Sequence, residues 1–261
     1  MSSEVPLARS AEKSAREAAK FRPNWFSVGT IVVFAILWQI ASYFVPPFVI
    51  PGWERILKAF FSLRFDYVAV TLTRLLVSLV ASFVLGFAIA AAMNQSKYIE
   101  QMVTPLIRML MSVPAICWVV FSILWFKGVE FRIFFVMVVV AMPIFIVDTF
   151  DGMKGVPRDL DQMVRSFQPT WLERFTKLTI PAILPILLTS WKINLSQSIR
   201  VILTAELVGA TSGIGYGLVL AQETFSIALV FAWTLTLIMG LYALQGIVDF
   251  LEVKYLAYRD Q

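Results

Sequence analysis

The residues of this chain that could do chemistry sit where lipid would be. Within the otherwise apolar run 182–208 the sequence places Lys192, Asn194, Ser196, Gln197, Ser198, Arg200, Thr204 and Glu206. Polar and ionisable side chains are costly in hydrocarbon, so each needs a partner or a wet path. On a helix Gln197, Arg200 and Thr204 share one face, and Asn194 and Ser198 lie within a turn of Gln197. Two readings fit. Either the face lines a polar path, with Arg200 attracting an anion, or Arg200 closes a salt bridge to Glu206, of this chain or a second copy, or to Asp148. Lys192 is expected to snorkel to the membrane surface. No catalytic set is expected. The chain has no His, its single Cys117 lies in an apolar run, and no paired-Asp motif occurs. The commonest general base and metal ligand is missing, and so is any internal disulfide or Cys-based metal site. Gly213, Gly215 and Gly217 are spaced by two, with no Lys-Ser/Thr after them, so they form no P-loop. They suit a close turn.

A second constellation spans 156–185, VPRDLDQMVRSFQPTWLERFTKLTIPAILP. It is polar and charged between two long apolar runs. Its pattern predicts a short helix, a turn at Gln168-Pro169-Thr170, a second short helix, and a proline-marked start of the next run. Phe167 and Trp171 would be apolar anchors, with Arg165, Glu173 and Arg174 as polar rim, the anatomy of a docking surface. The plain alternative is a basic loop that binds nothing, but such a loop rarely needs this aromatic content.

The elements that must position these residues are membrane helices. The chain is 59% hydrophobic and 15% charged, with mean hydropathy +0.79; a soluble domain carries about 25% charged residues. An all-α integral membrane protein is expected, with about six spans, each needing roughly 20 apolar residues. They are placed at 28–45, 68–93, 103–126, 131–147, 182–208 and 227–250. Pro114 should kink the third span, where it could widen a cavity or gate it. An amphipathic stretch is expected at 55–64, and a flexible Gly-rich stretch at 209–217. Residues 1–24 read as a cytoplasmic tail, 25–258 as the membrane domain including a cytoplasmic loop at 149–181, and 259–261 as a short tail. No small-residue cleavage site precedes the prolines at 46–47, so the first span is retained. Lys and Arg concentrate in segments that lie on one side when both termini are cytoplasmic. That bias accounts for the net charge of +5 without nucleic-acid binding.

Several segments carry a resemblance. Ile50-Pro51 with Trp53, Thr71-Leu72-Thr73-Arg74, Val113-Pro114-Ala115-Ile116-Cys117-Trp118, Ile123-Leu124-Trp125-Phe126, Ala205-Glu206-Leu207 and Ser212-Gly213-Ile214-Gly215-Tyr216 stand in order along the chain. Together they resemble the permease subunits of type I ABC importers, most closely those for sulfonates, taurine, nitrate, bicarbonate and related small molecules. The resemblance implies a transport subunit of a bacterial inner membrane, not an enzyme. Its partners would be a second permease subunit (a homodimer), two ATP-binding subunits, and a periplasmic or lipid-anchored substrate-binding protein, besides the lipid bilayer. The chain would bind no cofactor, with ATP and Mg held by the partner ATPase. ATPase coupling would fall to Gln162, Met163, Arg165, Ser166, Phe167, Gln168, Thr170 and Trp171. The translocation path would involve Pro114, Asn194, Gln197, Arg200, Thr204 and Glu206. Gly213, Gly215 and Tyr216 would meet the binding protein. The family's coupling loop reads Glu-Ala-Ala, three residues, then Gly. Here Gln162, Met163, Val164 and Gln168 stand at those positions. Gly allows a left-handed turn; Gln168, preceding Pro169, is expected to turn by another route. An altered ATPase contact follows. An ATPase-independent channel or secondary transporter is the competing reading, though it would usually show internal repeats, and none is visible.

Overall fold

The structure is a computed structural model that describes residues 25–256, without the side chains at 25–28, 158, 161, 165, 171, 255 and 256. The sequence expectations for 1–24 and 259–261 lie outside the described residues. Among the described residues there is helix and no strand. The chain divides into two compact units, Met1–Arg55 and Ile56–Gln261.

In the first unit α1 (Trp25–Phe44) is apolar on every side, with Ile31, Phe34, Leu37 and Phe44 exposed. That pattern suits a helix in lipid. After the prolines the chain folds back on α1. The Trp53 indole donates to the Ala35 carbonyl at 3.0 Å, and the Trp38 indole to the Pro51 carbonyl at 3.0 Å. The predicted amphipathic stretch is α2 (Trp53–Phe61), which crosses the boundary between the units and buries Ile56.

The second unit is built on α3 (Phe65–Gln95), α6 (Val129–Lys154) and α9 (Ile180–Leu207). Their shared core holds Leu75, Leu79, Val136, Met137, Phe145, Leu195 and Ile202. Small residues bring α3 onto α6. A Cβ on Gly86 would lie 2.9 Å from the Phe145 Cβ, so only glycine fits. Around this core run α4 (Lys97–Ser112), α5 (Ala115–Trp125), α7 (Arg158–Ser166), α8 (Trp171–Arg174), α10 (Ile214–Glu223) and α11 (Ile227–Leu256).

Four described helices are long and apolar enough to cross a membrane: Phe65–Gln95, Val129–Lys154, Leu172–Leu207 and Ile227–Lys254. Within α1, Gly29–Phe44 is a shorter apolar helix. The third predicted span differs from a kinked rod. It is two helices, Lys97–Ser112 and Ala115–Trp125, meeting at 96°. Val113 (φ −85, ψ 124) and Pro114 (φ −57, ψ 141) are both extended. Proline disfavours the helical region for the residue before it, and here Val113 is extended, so the helix stops rather than bends. The 209–217 stretch is also more ordered than expected, since its second half begins α10.

Candidate functional site

Three features carry polar chemistry. The first is a buried charge cluster centred on Glu206, which is fully inaccessible near the end of α9. Arg74 of α3 donates from Nη1 to Glu206 Oε1 at 2.8 Å and to the Ser212 carbonyl at 2.8 Å. Its Nε donates to Glu130 Oε2 of α6 at 2.7 Å, and Nη2 pairs with the other Glu130 oxygen. The Thr71 hydroxyl donates to the Glu206 carboxylate at 2.9 Å and accepts the Ile214 N–H at 2.8 Å. The Gly215 N–H donates to Glu206 Oε2 at 2.9 Å. The carboxylate therefore receives a backbone donor of the first turn of α10 as well as a guanidinium, the arrangement a helix N-terminus favours. The glycines make the approach possible. Gly213 has φ +106, and a Cβ there would lie 2.3 Å from Glu206 Oε1; one on Gly215 would lie 2.4 Å from the Glu206 Cβ.

This cluster corrects three sequence expectations. Glu206 does not face an open path, because its charge is consumed by Arg74 and the α10 N-terminus. The Arg200–Glu206 salt bridge is not formed within the chain, since Arg74 holds that carboxylate. Gly213 and Gly215 are buried, and Tyr216 is half-buried, edge-on to Tyr67 at 5.9 Å. They pack inward, and the exposed positions beside them are Val208, Gly209 and Thr211. Arg74, which the sequence showed only as the end of the Thr71-Leu72-Thr73-Arg74 segment, is the hub. Its signal was a lone cation in a span with no partner within one turn.

The second feature is an exposed stripe on α9. Ile186, Thr189, Ile193, Gln197 and Arg200 are exposed, at steps that keep one helix face. Arg200 Nη1 donates to Gln197 Oε1 at 3.2 Å, and Thr204, half-buried, donates to the Arg200 carbonyl at 2.9 Å. Asn194 and Ser198 point the other way and are buried. The predicted set thus splits between Gln197, Arg200 and Thr204 on the open side and Asn194 and Glu206 in the core. Pro114 is exposed at the α4–α5 bend. Lys192 does not merely snorkel: it pairs with Asp249 at 2.5 Å and with Glu252, tying α9 to α11.

The third feature is the loop that α7 and α8 form. Leu160, Met163 and Phe167 recur at helical steps on α7 and just past it, and all are exposed, Phe167 by 79%. Gln162 and Ser166 are exposed beside them. Gln168 has φ 47, so it takes the left-handed turn itself, contrary to the expectation that it would avoid it. The helix that follows is held by a capping box. The Thr170 N–H donates to Glu173 Oε2 at 3.0 Å, and the Glu173 N–H to Thr170 Oγ1 at 3.3 Å. This Thr-x-x-Glu signature is legible in the sequence. A π-helical turn, Phe175–Thr179, joins α8 to α9, with the Ile180 N–H bonded to the Phe175 carbonyl. It lies next to Pro181, which has no N–H to continue the regular ladder. The side chains of Arg165 and Trp171 lie outside the described residues.

With this geometry in hand, comparisons place the chain. The family described as "Binding-protein-dependent transport system inner membrane component" matches residues 82–256. A putative aliphatic sulfonates transport permease protein of Bacillus subtilis is 26% identical over 96% of this chain and 94% of its own length. A nitrate import permease protein of Leptolyngbya laminosa is 25% identical over 73% of this chain and 74% of its own length. The taurine transport system permease protein of Escherichia coli is 23% identical over 84% of this chain and 86% of its own length. A chain of the inward-facing MetNI methionine ABC transporter shares the fold, with a TM-score of 0.59 at 20% identity, covering 74% of this chain and 94% of that one.

Proposed function

The chain belongs to the binding-protein-dependent transport system inner membrane component family, and from that premise we propose that it is the membrane-spanning half of an ATP-driven importer of small anions. A substrate-binding protein delivers the solute and separate ATPase subunits drive its passage. The observation that carries the reading is the exposed apolar stripe Leu160, Met163 and Phe167 on the charged loop. Side chains of this kind standing free in water on a polar segment fit the groove of a soluble partner. With both termini cytoplasmic, as the Lys and Arg distribution favours, the loop meets an ATPase there. Gln162, Ser166, Gln168 and Thr170 form the polar surround, with Arg165 and Trp171 in the same segment. Two copies of the chain would enclose the path, and closure of the ATPases would tilt the spans as rigid bodies. The Gln197–Arg200–Thr204 face of α9 then lines the path, where Arg200 attracts the anion. That the named relatives carry sulfonate, nitrate and taurine in their descriptions supports an anionic solute. ATP and Mg belong to the partner.

Alanine at Phe167 and Met163 together tests the docking assignment. The variant should insert normally, yet lose co-purification with the ATPase by at least about tenfold, the scale of a hot spot near 2 kcal/mol. Full co-purification and full solute-stimulated ATP hydrolysis would remove the loop from the interface.

A further inference from the structure

A cavity of about 230 Å³ opens between α6 and α9, lined by Asp148, Pro185, Ile186, Thr189, Ser190 and Ile193. Its polar atoms are unusual. Asp148 Oδ2 and Ser190 Oγ are both buried and have no hydrogen-bond partner among the described residues. Ser190 is 1% exposed. A helical Ser or Thr commonly returns its hydroxyl to the carbonyl a turn back. On α9 Thr189, Ser196 and Thr204 do so, at 3.0, 3.1 and 2.9 Å. Ser190 does not. One turn on, Asn194 Oδ1 is buried and unpartnered too. Orphaned buried polar atoms mark a missing partner.

The lining holds no Lys or Arg, and its charged group is a carboxylate. An anion is therefore disfavoured here, and a positively charged donor is favoured. The volume exceeds the roughly 30 Å³ share of a single water several-fold, so it admits a small organic group rather than one solvent molecule. Ile186, Thr189 and Ile193 belong to the exposed stripe of α9 that also carries Gln197 and Arg200. Thr189 and Arg200 are eleven residues apart, which at 1.5 Å per residue is about 16 Å.

We propose that this cavity binds the ammonium group of a small amine, with Asp148 as counter-ion and the Ser190 hydroxyl as acceptor. The stripe then offers a cationic position at Arg200 and an anionic one at Asp148, so a solute bearing both charges meets a complementary group at each. The use of the site in transport rests on the importer reading; the binding itself does not.

The test is equilibrium binding of radiolabelled methylammonium to the complex purified in nanodiscs with whatever subunits accompany it. Saturable binding is expected, weakened at least about tenfold by Asp148→Asn, the scale of one charge-assisted hydrogen bond. Ser190→Ala, which leaves the charge in place, should weaken it several-fold, so the result does not hang on one variant's folding. Equal binding in all three proteins, or displacement of methylammonium by equimolar sodium chloride, would overturn the proposal. ATPase co-purification is read on the same samples. Its loss would count against the importer reading alone, and its retention without methylammonium binding would count against this site alone.

Discussion

Glu206 and Arg74 show how a charge is kept inside a membrane helix bundle. Arg74 spreads its donors over Glu206, Glu130 and the Ser212 carbonyl, while Glu206 gathers Arg74, Thr71 and the Gly215 N–H. The two residues are not equivalent. Without Arg74, Glu206 would be a fully buried carboxylate with no cation. Without the Glu206 charge, Arg74 keeps Glu130, whose side chain is 70% exposed. Arg74→Met is therefore expected to destabilise by about 3–5 kcal/mol, and Glu206→Gln by less, about 1–3 kcal/mol. The double variant should recover part of the loss, because the orphaned charge is gone. Thermal unfolding in one detergent measures all three. An Arg74→Met variant as stable as the parent would show that the cluster contributes specificity and no stability.

At the scale of elements, the loop between α6 and α9 depends on local chemistry more than on packing. No described side chain of α7 is buried, and the turn after it relies on Gln168 at φ 47. A left-handed conformation costs a residue with a Cβ about 1–2 kcal/mol. Glycine adopts it freely, although it loses more entropy on folding. Gln168→Gly is expected to relieve that strain, favour the observed turn between α7 and α8, and strengthen ATPase pull-down two- to fivefold, worth about 0.4–1 kcal/mol. Weaker pull-down would mean that the Gln168 side chain itself makes a contact. The capping box at Thr170 and Glu173 and the π turn beside Pro181 fix where the second short helix begins and how it runs into α9.

At the scale of the whole molecule, the exposed apolar faces of α1 and α11 mark surfaces for lipid or for other subunits. Ile31, Phe34 and Phe44 on α1, and Ile238, Tyr242 and Phe250 on α11, lie open in the single chain. Orientation is a property of this scale because it depends on the summed Lys and Arg of all loops. Cys117 is the sole cysteine, which makes labelling simple. In a Cys117→Ser background, Thr211→Cys should react with an impermeant maleimide on intact spheroplasts, and Gln168→Cys only after lysis. The reverse pattern would invert the topology and place the apolar loop stripe outside, away from any ATPase.

Much was legible before the fold was seen, because it follows from interactions close in sequence. Long continuous apolar runs must be helices in lipid, since the other structure that satisfies its backbone there, a closed β-barrel, is built from short alternating strands. The polar loop, its two short helices and its prolines are likewise local, and they stand where the pattern placed them. What tertiary structure alone decided depends on residues far apart in the chain. Thr71 and Arg74 reach Glu206 from one other helix, and Glu130 holds Arg74 from another, so a carboxylate that periodicity could place only near a path turned out to be a structural anchor. Gly213 and Gly215 were read as a surface turn. They are buried because α10 must descend onto that carboxylate, a constraint that no window of sequence contains. The Pro114 break lay between these extremes. Its position was visible in one residue, but the 96° between α4 and α5 was visible only in the structure.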